Sequence, residues 1–380
     1  AQFPVGTGVT ENTIAAGYFE RNSHRLVDID ECPVIPERLD LVLNQIKAAC
    51  GKAGLSPYDE ISHTGMLRHI SLRQSFFNQE ILATLVLNVA NLEKLAGRQV
   101  ERLRSVAEQV REKVPEVVGF CLNFNTLKGN KILSEKTICL SGKPTIEEVL
   151  QSHEQERPEA LRQGLSFRLS ANSFFQVHRQ QAVFILDQVF DLVKNRTSAS
   201  GDAKPLIVDA YAGVGTIAMW LCDLACKVVA VEENPFAVQD GRKNLLLNKI
   251  ANVEFHQGQA ETVLPALYAQ GLRPDILILD PPRKGAGSEV LEAVLEMAPE
   301  LVVYVSCNPA TLSRDLKILA SGNKAGINWQ EQERETQGRF GYKTQRVKPV
   351  DLFPQTYHVE SIASLERIFF DGTVGNLEEI

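Results

Sequence analysis

The sequence predicts an α/β protein of two domains, the second of which contains a parallel sheet. Its 380 residues exceed the usual size of one domain, and 44% of them are hydrophobic, which is enough for a core in each. From residue 205 onward, short apolar runs alternate with helix-like segments. Strands that are apolar throughout are typical of a parallel sheet that helices cover on both faces.

Five apolar runs predict the strands of this sheet, at 206–209, 228–232, 253–255, 276–280 and 301–305. In folds of this kind, ligands bind at the carboxyl ends of the strands. The residues that end or follow the predicted strands are therefore the first candidates for a functional site, and they are Asp209, Glu232, Asp280 and Cys307.

The first 165 residues mix strand-like runs, such as 81–88, with helical stretches at 38–50 and 92–113. This mixture predicts a smaller α/β or α+β domain. Another helical pattern, at 178–194, runs into a polar segment that is expected to end the helix before the next strand. We expect the domains to cover residues 1–165 and 166–380.

Composition limits the class of protein only broadly. The sequence has no apolar run long enough to span a membrane and no secretory leader pattern, so we expect a cytoplasmic protein, and we expect a monomer. Seven cysteines without a C-x-x-C pair argue against a disulfide framework or a zinc ribbon. Cys222 and Cys226, four positions apart in an apolar helical pattern, are expected in the core. The net charge of −7 does not exclude a local basic groove for nucleic acid.

A glycine-rich turn, Asp209-Ala-Tyr-Ala-Gly213-Val-Gly215, follows the first of these strands. Its glycines let the backbone approach a ligand, and Glu232 at the end of the next strand can bind the two hydroxyls of a ribose. The same spacing fits a nicotinamide dinucleotide site, so an oxidoreductase stays open at this point.

Two further strand ends carry reactive or charged residues. Asp280-Pro-Pro-Arg283-Lys-Gly285 places a carboxylate before two prolines, either as a ligand contact or as a helix cap, and its Arg283 is a candidate phosphate contact. Cys307 precedes a turn that starts a helix, where the helix dipole and nearby cations favour a thiolate. An inert core cysteine is the alternative for Cys307.

The segment 338–349 combines four cations with two aromatic residues. Cations bind phosphates and aromatic faces stack on exposed bases, so Lys343 and Arg346 are candidate RNA contacts, with a solvated hairpin as the alternative. Shortly after it, Glu360 is a candidate base, while His358 is more readily explained as a structural residue.

These motifs, in this order, resemble the RNA (uracil-5-)-methyltransferase family, and within it the enzymes that act on 23S ribosomal RNA. The matching stretches are Ser173-Phe-Phe-Gln-Val177, Asp209-Ala-Tyr-Ala-Gly-Val-Gly215, Asp280-Pro-Pro-Arg-Lys-Gly285, Ser306-Cys-Asn-Pro-Ala-Thr-Leu312 and Phe353-Pro-Gln-Thr-Tyr-His-Val-Glu360. The resemblance implies a Rossmann-like, seven-stranded class I methyltransferase domain preceded by a smaller RNA-binding domain.

The resemblance also implies a reaction and its residues. S-adenosylmethionine would supply a methyl group to C5 of a uridine, with Cys307 as the nucleophile and Glu360 as the base. Phe174 would stack against the RNA. The implied cofactor ligands are Gln176, Tyr211, Gly213, Glu232 and Asp280.

Two features depart from the family pattern. Gln259 stands where the family usually has Asp or Asn, so a contact of this residue with adenine is not expected. Cys32 matches the last of four cysteines that bind a [4Fe-4S] cluster in ribosomal RNA enzymes of the family, and the other three would precede Ala1. We therefore expect a truncated chain without the N-terminal β-barrel module, or else a cluster-free member in which Cys32 is a core residue.

Several functions remain open on the sequence. Cys32 favours 23S ribosomal RNA over transfer RNA as the substrate. An RNA cytosine-C5 methyltransferase is disfavoured because such enzymes carry Pro-Cys where this chain has Pro-Pro-Arg283. A noncatalytic RNA-binding protein built on an inactive methyltransferase is the alternative from another class.

Overall fold

The structure, a computed structural model, describes residues 1–10, 13–129, 131–176, 178–199, 203–322 and 340–370. The chain folds into two compact units. Unit 1 consists of Ala1–Val149 and Ser166–Ser173, and unit 2 consists of Leu150–Leu165 and Phe174–Ile380. The chain therefore crosses between the units three times, after Val149, Leu165 and Ser173.

Unit 1 contains a mixed seven-stranded sheet in the order β3-β2-β1-β4-β5-β6-β7, with a separate pair formed by β8 and β9. The fully buried β5 lies parallel to β6 and antiparallel to β4. The strands are β1 Gln2–Thr7, β2 Ile14–Phe19, β3 Leu26–Asp28, β4 Leu67–Gln74, β5 Ile81–Leu87, β6 Val117–Phe124, β7 Thr137–Gly142, β8 Thr145–Leu150 and β9 Leu165–Ser170.

Two helices, α1 (Glu37–Lys52) and α2 (Gly97–Lys113), belong to the core of unit 1. In α1 the buried residues Leu39, Val42, Leu43 and Ile46 recur at helical spacing, so they form one apolar stripe. Each such side chain contributes about 1.5–3 kcal/mol when it is fully buried. The predicted helix at 92–113 is divided, because Leu92–Lys94 forms a short 3₁₀ turn before α2 begins.

Unit 2 contains the second sheet, whose strands are β10 Leu206–Ala210, β11 Lys227–Glu232, β12 Val253–Gln257, β13 Ile276–Leu279, β14 Leu301–Ser306, β15 Phe340–Val350 and β16 Glu360–Phe369. Its helices are α3 Glu159–Gln163, α4 Arg179–Ala199, α5 Thr216–Leu221, α6 Pro235–Leu247, α7 Ala260–Ala269, α8 Ser288–Met297 and α9 Pro309–Ser321. None of the described helices combines the length and apolar character that a membrane span requires.

The order of this sheet, β12-β11-β10-β13-β14-β16-β15, explains where its ligand edge lies. The first five strands are parallel, whereas β16 and β15 are antiparallel to their neighbours. The chain winds outward from β10 in both directions, and ligands bind at such a switch point, beyond the carboxyl ends of the strands. All five predicted strands are confirmed as members of the parallel part.

Two local predictions are wrong. Helix α4 continues to Ala199 although the polar segment after Lys194 was expected to end it. The hydroxyls of Thr197 and Ser198 donate to the carbonyl of Lys194, each at 2.9 Å, so these side chains bond to the helix they extend. The paired cysteines are not core residues of one helix, because α5 ends at Leu221 and Cys226 is exposed just before β11.

Candidate active site

The glycine turn after β10 fixes one wall of the site. Tyr211, Gly213 and Gly215 all have positive φ angles, of 65°, 56° and 81°. A Cβ atom at Gly215 would lie 2.6 Å from the Phe255 ring, so this position requires glycine for space as well as for conformation. The Gly213 amide donates to Oε2 of Glu232 at 2.8 Å, which ties the turn to the end of β11.

Glu232 is held by backbone donors on both sides. Besides the bond from Gly213, Oε1 accepts from the amide of Asn234 at 2.7 Å. Burial raises the pKa of Glu232, and these two bonds oppose that rise. The carboxylate is thus fixed beside the glycine turn with lone pairs left for a hydroxyl group of a ligand.

Asp209 is fully buried below the turn. Its Oδ2 accepts from the amide of Ala218 at 3.0 Å, whereas Oδ1 has no hydrogen-bond partner among the described residues. Burial, with the nearby charges of Asp280 and Glu232, raises the pKa of Asp209 to about 8.

Asp280 follows β13 at the same edge of the sheet. Its expected alternative role as a helix cap is wrong, because α8 begins only at Ser288 and Gly287 is its N-cap. Burial raises the pKa of Asp280 to about 7. The residue lines a cavity that also meets the glycine turn.

This cavity collects five of the residues predicted for the cofactor and the RNA, namely Phe174, Gln176, Tyr211, Gly213 and Asp280. Phe174 is 64% exposed, as expected of a side chain that is free to stack. Oε1 of Gln176 is buried and has no hydrogen-bond partner in the described part of the chain. Such an atom normally finds a partner, so a ligand donor is the natural occupant of this place.

The sequence did not identify the apolar wall of the cavity. Ala182, Ile185 and Leu186 of α4 line it, together with Val305 of β14. Their spacing along α4 is that of one helix face, but the same pattern is shared by any helix that packs on a sheet. Only the packing distinguishes a cavity wall from a core contact.

Cys307 and Glu360 are brought together by the antiparallel register of β14 and β16. Ser306 pairs with Ser361, so the next residue on one strand, Cys307, lies opposite the preceding residue on the other, Glu360. Glu360 is only 2% exposed, and burial, with the Asp280 charge, raises its pKa to about 8. Cys307 is half-buried.

The thiol does not have the thiolate character that the sequence suggested. Burial raises the pKa of Cys307, and the carboxylates of Glu360 and Asp280 raise it further. The Arg283 guanidinium lowers it but does not outweigh the other effects. The start of α9 is as predicted, with Asn308 as N-cap.

The loop that carries Asp280 and Arg283 is anchored on α9. The Asn308 side chain donates to the carbonyl of Arg283 at 3.1 Å. Buried Asp315 accepts at Oδ2 from the Ala286 amide at 2.9 Å and from the Tyr304 hydroxyl at 2.5 Å. Sequence reasoning missed Asp315, since an aspartate in a helix is usually exposed to solvent.

The candidate RNA contacts are separated along the sheet. Arg283 is exposed and lies near Cys307. Lys343 and Arg346 are also exposed, but they lie on the edge strand β15. Lys343 pairs with Glu366, which pairs with Leu301 at the start of β14. It therefore lies about 20 Å along the sheet from Cys307. Gly338 and Arg339, from the same cationic segment, lie outside the described residues.

Cys32 lies in unit 1, where it is buried, with its Sγ 3.7 Å from the hydroxyl of Tyr18. No group of three or more His, Cys, Asp or Glu side chains is placed to hold a metal ion within the described ranges. A role for Cys32 as an iron-sulfur ligand stays a prediction.

The acceptor groups at the cavity and beside it fit S-adenosylmethionine. Asp209, Glu232 and Asp280 all have raised pKa values, so their charged forms are disfavoured until a cation approaches. The cofactor carries positive charge on sulfur and on its amino group, and its ribose has two hydroxyls for Glu232. The partnerless Oε1 of Gln176 offers a further acceptor.

Comparison with known proteins shows the family of the chain. The family model described as tRNA (uracil-5-)-methyltransferase matches residues 64–327. An uncharacterized RNA methyltransferase of Halalkalibacterium halodurans is 36% identical over 366 residues, which cover 96% of this chain and 70% of that protein. Another, from Gloeobacter violaceus, is 38% identical over 365 residues, covering 96% and 69%.

Among solved structures, the fold resembles that of Pyrococcus abyssi tRNA (uracil-54, C5)-methyltransferase in complex with S-adenosyl-L-homocysteine. The TM-score is 0.65 at 24% identity, over 96% of this chain and 74% of the other. The expected class I, Rossmann-like methyltransferase fold is thereby confirmed. The chain belongs to the tRNA (uracil-5-)-methyltransferase family and is an S-adenosylmethionine-dependent RNA methyltransferase.

Proposed function

We propose that this protein methylates C5 of a uridine in RNA, with Cys307 as the nucleophile and Glu360 as the base. The observation that carries the proposal is that Cys307 and Glu360 flank the paired residues Ser306 and Ser361 at the carboxyl edge of the sheet, and that both feel the charge of Asp280. A thiol and a carboxyl group so placed can act in turn on the two adjacent carbons of one pyrimidine ring.

The chemistry requires both groups. Uracil C5 is a weak nucleophile, so the Cys307 thiolate forms a bond to C6 and the electrons of the C5–C6 double bond move toward the O4 carbonyl. S-adenosylmethionine, when bound, supplies an electrophilic methyl group for the resulting enolate-like C5. Glu360 then removes the proton from C5, the double bond reforms, and the bond from sulfur to C6 breaks.

Charge controls which groups are ready to react. In the free protein burial disfavours the anions of both Cys307 and Glu360, and each anion disfavours the other. The charge of the Arg283 guanidinium favours the thiolate. We infer that Arg283 both supports the nucleophile and contacts an RNA phosphate near the target uridine.

The remaining roles follow from the cavity. We propose Gln176, Tyr211, Gly213, Glu232 and Asp280 as cofactor ligands, with exposed Phe174 stacking on a base of the RNA. A uracil stacked inside an RNA helix cannot reach the half-buried thiol of Cys307, so the target uridine must leave the base stack. Unit 1 is proposed to bind the surrounding RNA.

The RNA class is part of the proposal. We propose 23S ribosomal RNA, with transfer RNA as the alternative. The preference rests on Cys32, whose place in the sequence resembles a cluster ligand of the ribosomal RNA enzymes.

The test uses RNA from cells that lack the gene for this protein. With labelled S-adenosylmethionine, we expect 5-methyluridine at one site, identified by nucleoside mass spectrometry and mapped separately in ribosomal and transfer RNA. Label in 5-methylcytidine, or in transfer RNA alone, contradicts the corresponding part of the proposal. Cys307→Ala should abolish transfer, whereas Cys226→Ala, which changes an exposed thiol at the amino ends of the strands, should not.

Glu360→Gln tests the second half of the mechanism. The variant retains the nucleophile but cannot remove the C5 proton, so a covalent complex of protein and RNA should accumulate and survive on a denaturing gel. Turnover at the parent rate, without such a complex, would show that another group is the base.

A further inference from the structure

The loop of residues 351–359 joins β15 to β16 and ends directly at Glu360. Because Ser361 pairs with Ser306, this loop lies at the same edge of the sheet as Cys307. It carries three rings, those of Phe353, Tyr357 and His358. Tyr357 is 84% exposed, although it precedes the buried Glu360 by only three positions in the sequence.

The rings form an ordered cluster. The Tyr357 and His358 centroids are 4.2 Å apart with an interplanar angle of 40°, and Phe353 meets His358 edge to face at 6.1 Å. The loop is fixed from within, since the Thr356 hydroxyl donates to the Phe353 carbonyl at 2.8 Å and accepts from the His358 amide at 3.2 Å. A surface that is ordered before binding loses little entropy when a ligand stacks on it.

A cation lies beside both the rings and the nucleophile. Asn308, the residue that follows Cys307, donates from its side chain to the Arg283 carbonyl. The Arg283 side chain itself is exposed. Burial lowers the pKa of His358 and the Arg283 charge lowers it further, while the same charge opposes the rise in the pKa of Cys307, so Arg283 acts on both groups. The exposed Tyr357 ring near an exposed guanidinium matches a polymer of planar bases and phosphates.

We propose that Tyr357, supported by His358, is a stacking surface for the base of the nucleotide next to the target uridine. This inference rests on the proposed function, because it takes the uridine at Cys307 as its starting point. A uridine that leaves its stack deprives its neighbours of a stacking partner, and a ring beside the pocket replaces it. Nothing in such a contact requires a hydrogen bond from the Tyr357 hydroxyl.

The probe is a short RNA that spans the mapped uridine, with 5-fluorouridine in its place. With fluorine in place of hydrogen, C5 has no proton for Glu360 to remove after methyl transfer, so the adduct with Cys307 persists and its formation rate can be followed against RNA concentration. Tyr357→Leu should raise the half-saturating RNA concentration about tenfold. The maximal rate and the KM for S-adenosylmethionine should stay at parent values, and Tyr357→Phe should behave as the parent.

Phe369→Leu is the matched control, since Phe369 is an exposed aromatic residue at the far end of β16. It should leave RNA binding unchanged. An abasic nucleotide on one side of the target uridine should weaken RNA binding to the parent about tenfold. It should not weaken binding to Tyr357→Leu, because that variant has already lost the stack on this base.

Three results overturn the inference: Tyr357→Leu binds RNA as the parent does, the abasic probes weaken binding to parent and variant equally, or Tyr357→Phe loses as much RNA affinity as Tyr357→Leu. A parent protein that forms no adduct with the probe and no 5-methyluridine in cellular RNA contradicts the proposed function itself, and the inference with it. Melting temperatures of all variants should match the parent, as the changed rings are exposed.

Discussion

Cys307 directly follows and Glu360 directly precedes the paired residues Ser306 and Ser361 of β14 and β16, although more than fifty residues of chain separate them. Asp280, at the end of the neighbouring strand β13, acts electrostatically on both. Three ionisable groups thus share one small edge of the sheet, and the charge of each depends on the other two.

This coupling predicts opposite effects of two substitutions on the Cys307 thiol. Glu360→Gln removes a negative charge that raises the pKa of Cys307, so the pKa should fall. Arg283→Gln removes the positive charge that lowers it, so the pKa should rise. The measurement is the pH dependence of Cys307 alkylation by iodoacetamide, resolved by peptide mass spectrometry.

Cys226 provides the internal control in the same digests, because it is exposed and lies at the opposite edge of the sheet. Its reactivity should not change in either variant. If Glu360→Gln and Arg283→Gln shift the Cys307 profile in the same direction, local charge is not what sets the pKa.

The buried Asp209 predicts a pH-dependent stability of the free protein. Its pKa is about 8 in the folded state and about 3.9 in the unfolded state. The unfolded state therefore loses its proton first, and the free energy of unfolding falls as the pH rises from about 4 to 8. Asp209→Asn keeps an acceptor for the Ala218 amide and should stabilise the protein at pH 8 by on the order of 2 kcal/mol.

Melting temperatures at pH 5 and pH 8 check this. The gain from Asp209→Asn should be a few degrees at pH 8 and should shrink toward pH 5, since much of the penalty is absent there. A gain of the same size at both pH values would mean that ionisation of Asp209 is not its cause.

The parallel strands and their functional ends could be predicted because their signals are local. Asp209, Glu232, Asp280 and Cys307 each follow an apolar run, and a parallel sheet places such ends at one edge. The opposition of Cys307 and Glu360 depends instead on an antiparallel register that no local pattern encodes. The sequence alone therefore linked the two residues only through family resemblance.

What the sequence could not show has equally specific causes. The prediction of a thiolate at Cys307 rested on the helix start and on nearby cations. Burial and the two carboxylates, which raise the pKa of Cys307, become visible only in the fold. Lys343 was grouped with Arg346 by sequence proximity, yet along an extended strand three residues span about 10 Å. The role of Asp315 could not be predicted, because it depends on the burial of this side chain and not on its residue type.

Asp315 predicts a link between stability and cofactor binding. Asp315→Ala removes the acceptor of the Tyr304 hydroxyl and one of the two acceptors of the Ala286 amide, so the buried Tyr304 hydroxyl loses its acceptor. We expect a loss of about 1–3 kcal/mol in the free energy of unfolding. Because the same loop carries Asp280, the KM for S-adenosylmethionine should rise several-fold.

Tyr304→Phe is the graded control, since it removes one donor and leaves the Ala286 bond to Asp315 in place. Its loss should be smaller, about 1 kcal/mol, with little change in the KM. A destabilised Asp315→Ala protein with an unaltered KM would show that the loop keeps Asp280 in position without this anchor.

The groove beside β15 predicts unequal roles for two cations in RNA binding. Arg346 and Lys348 line it together with Ile362 and Ser364 of β16. Side chains at alternate positions of a strand share one face, so Ile362 and Ser364 lie on the face of Glu360. The groove therefore leads along the sheet from the catalytic edge, and Lys348 is held in it by Gln188 at 2.6 Å.

Arg346→Gln should weaken RNA binding and reduce the slope of log affinity against log salt by about 0.7–0.9, the value for one phosphate contact. Lys343→Gln, one further step from the catalytic edge, should reduce it less. Binding to the short RNA around the target, measured between low and high salt, separates the two. Equal slopes for Arg346→Gln and the parent would exclude the groove as a phosphate path, whereas a larger effect of Lys343→Gln would place the RNA along the other end of β15.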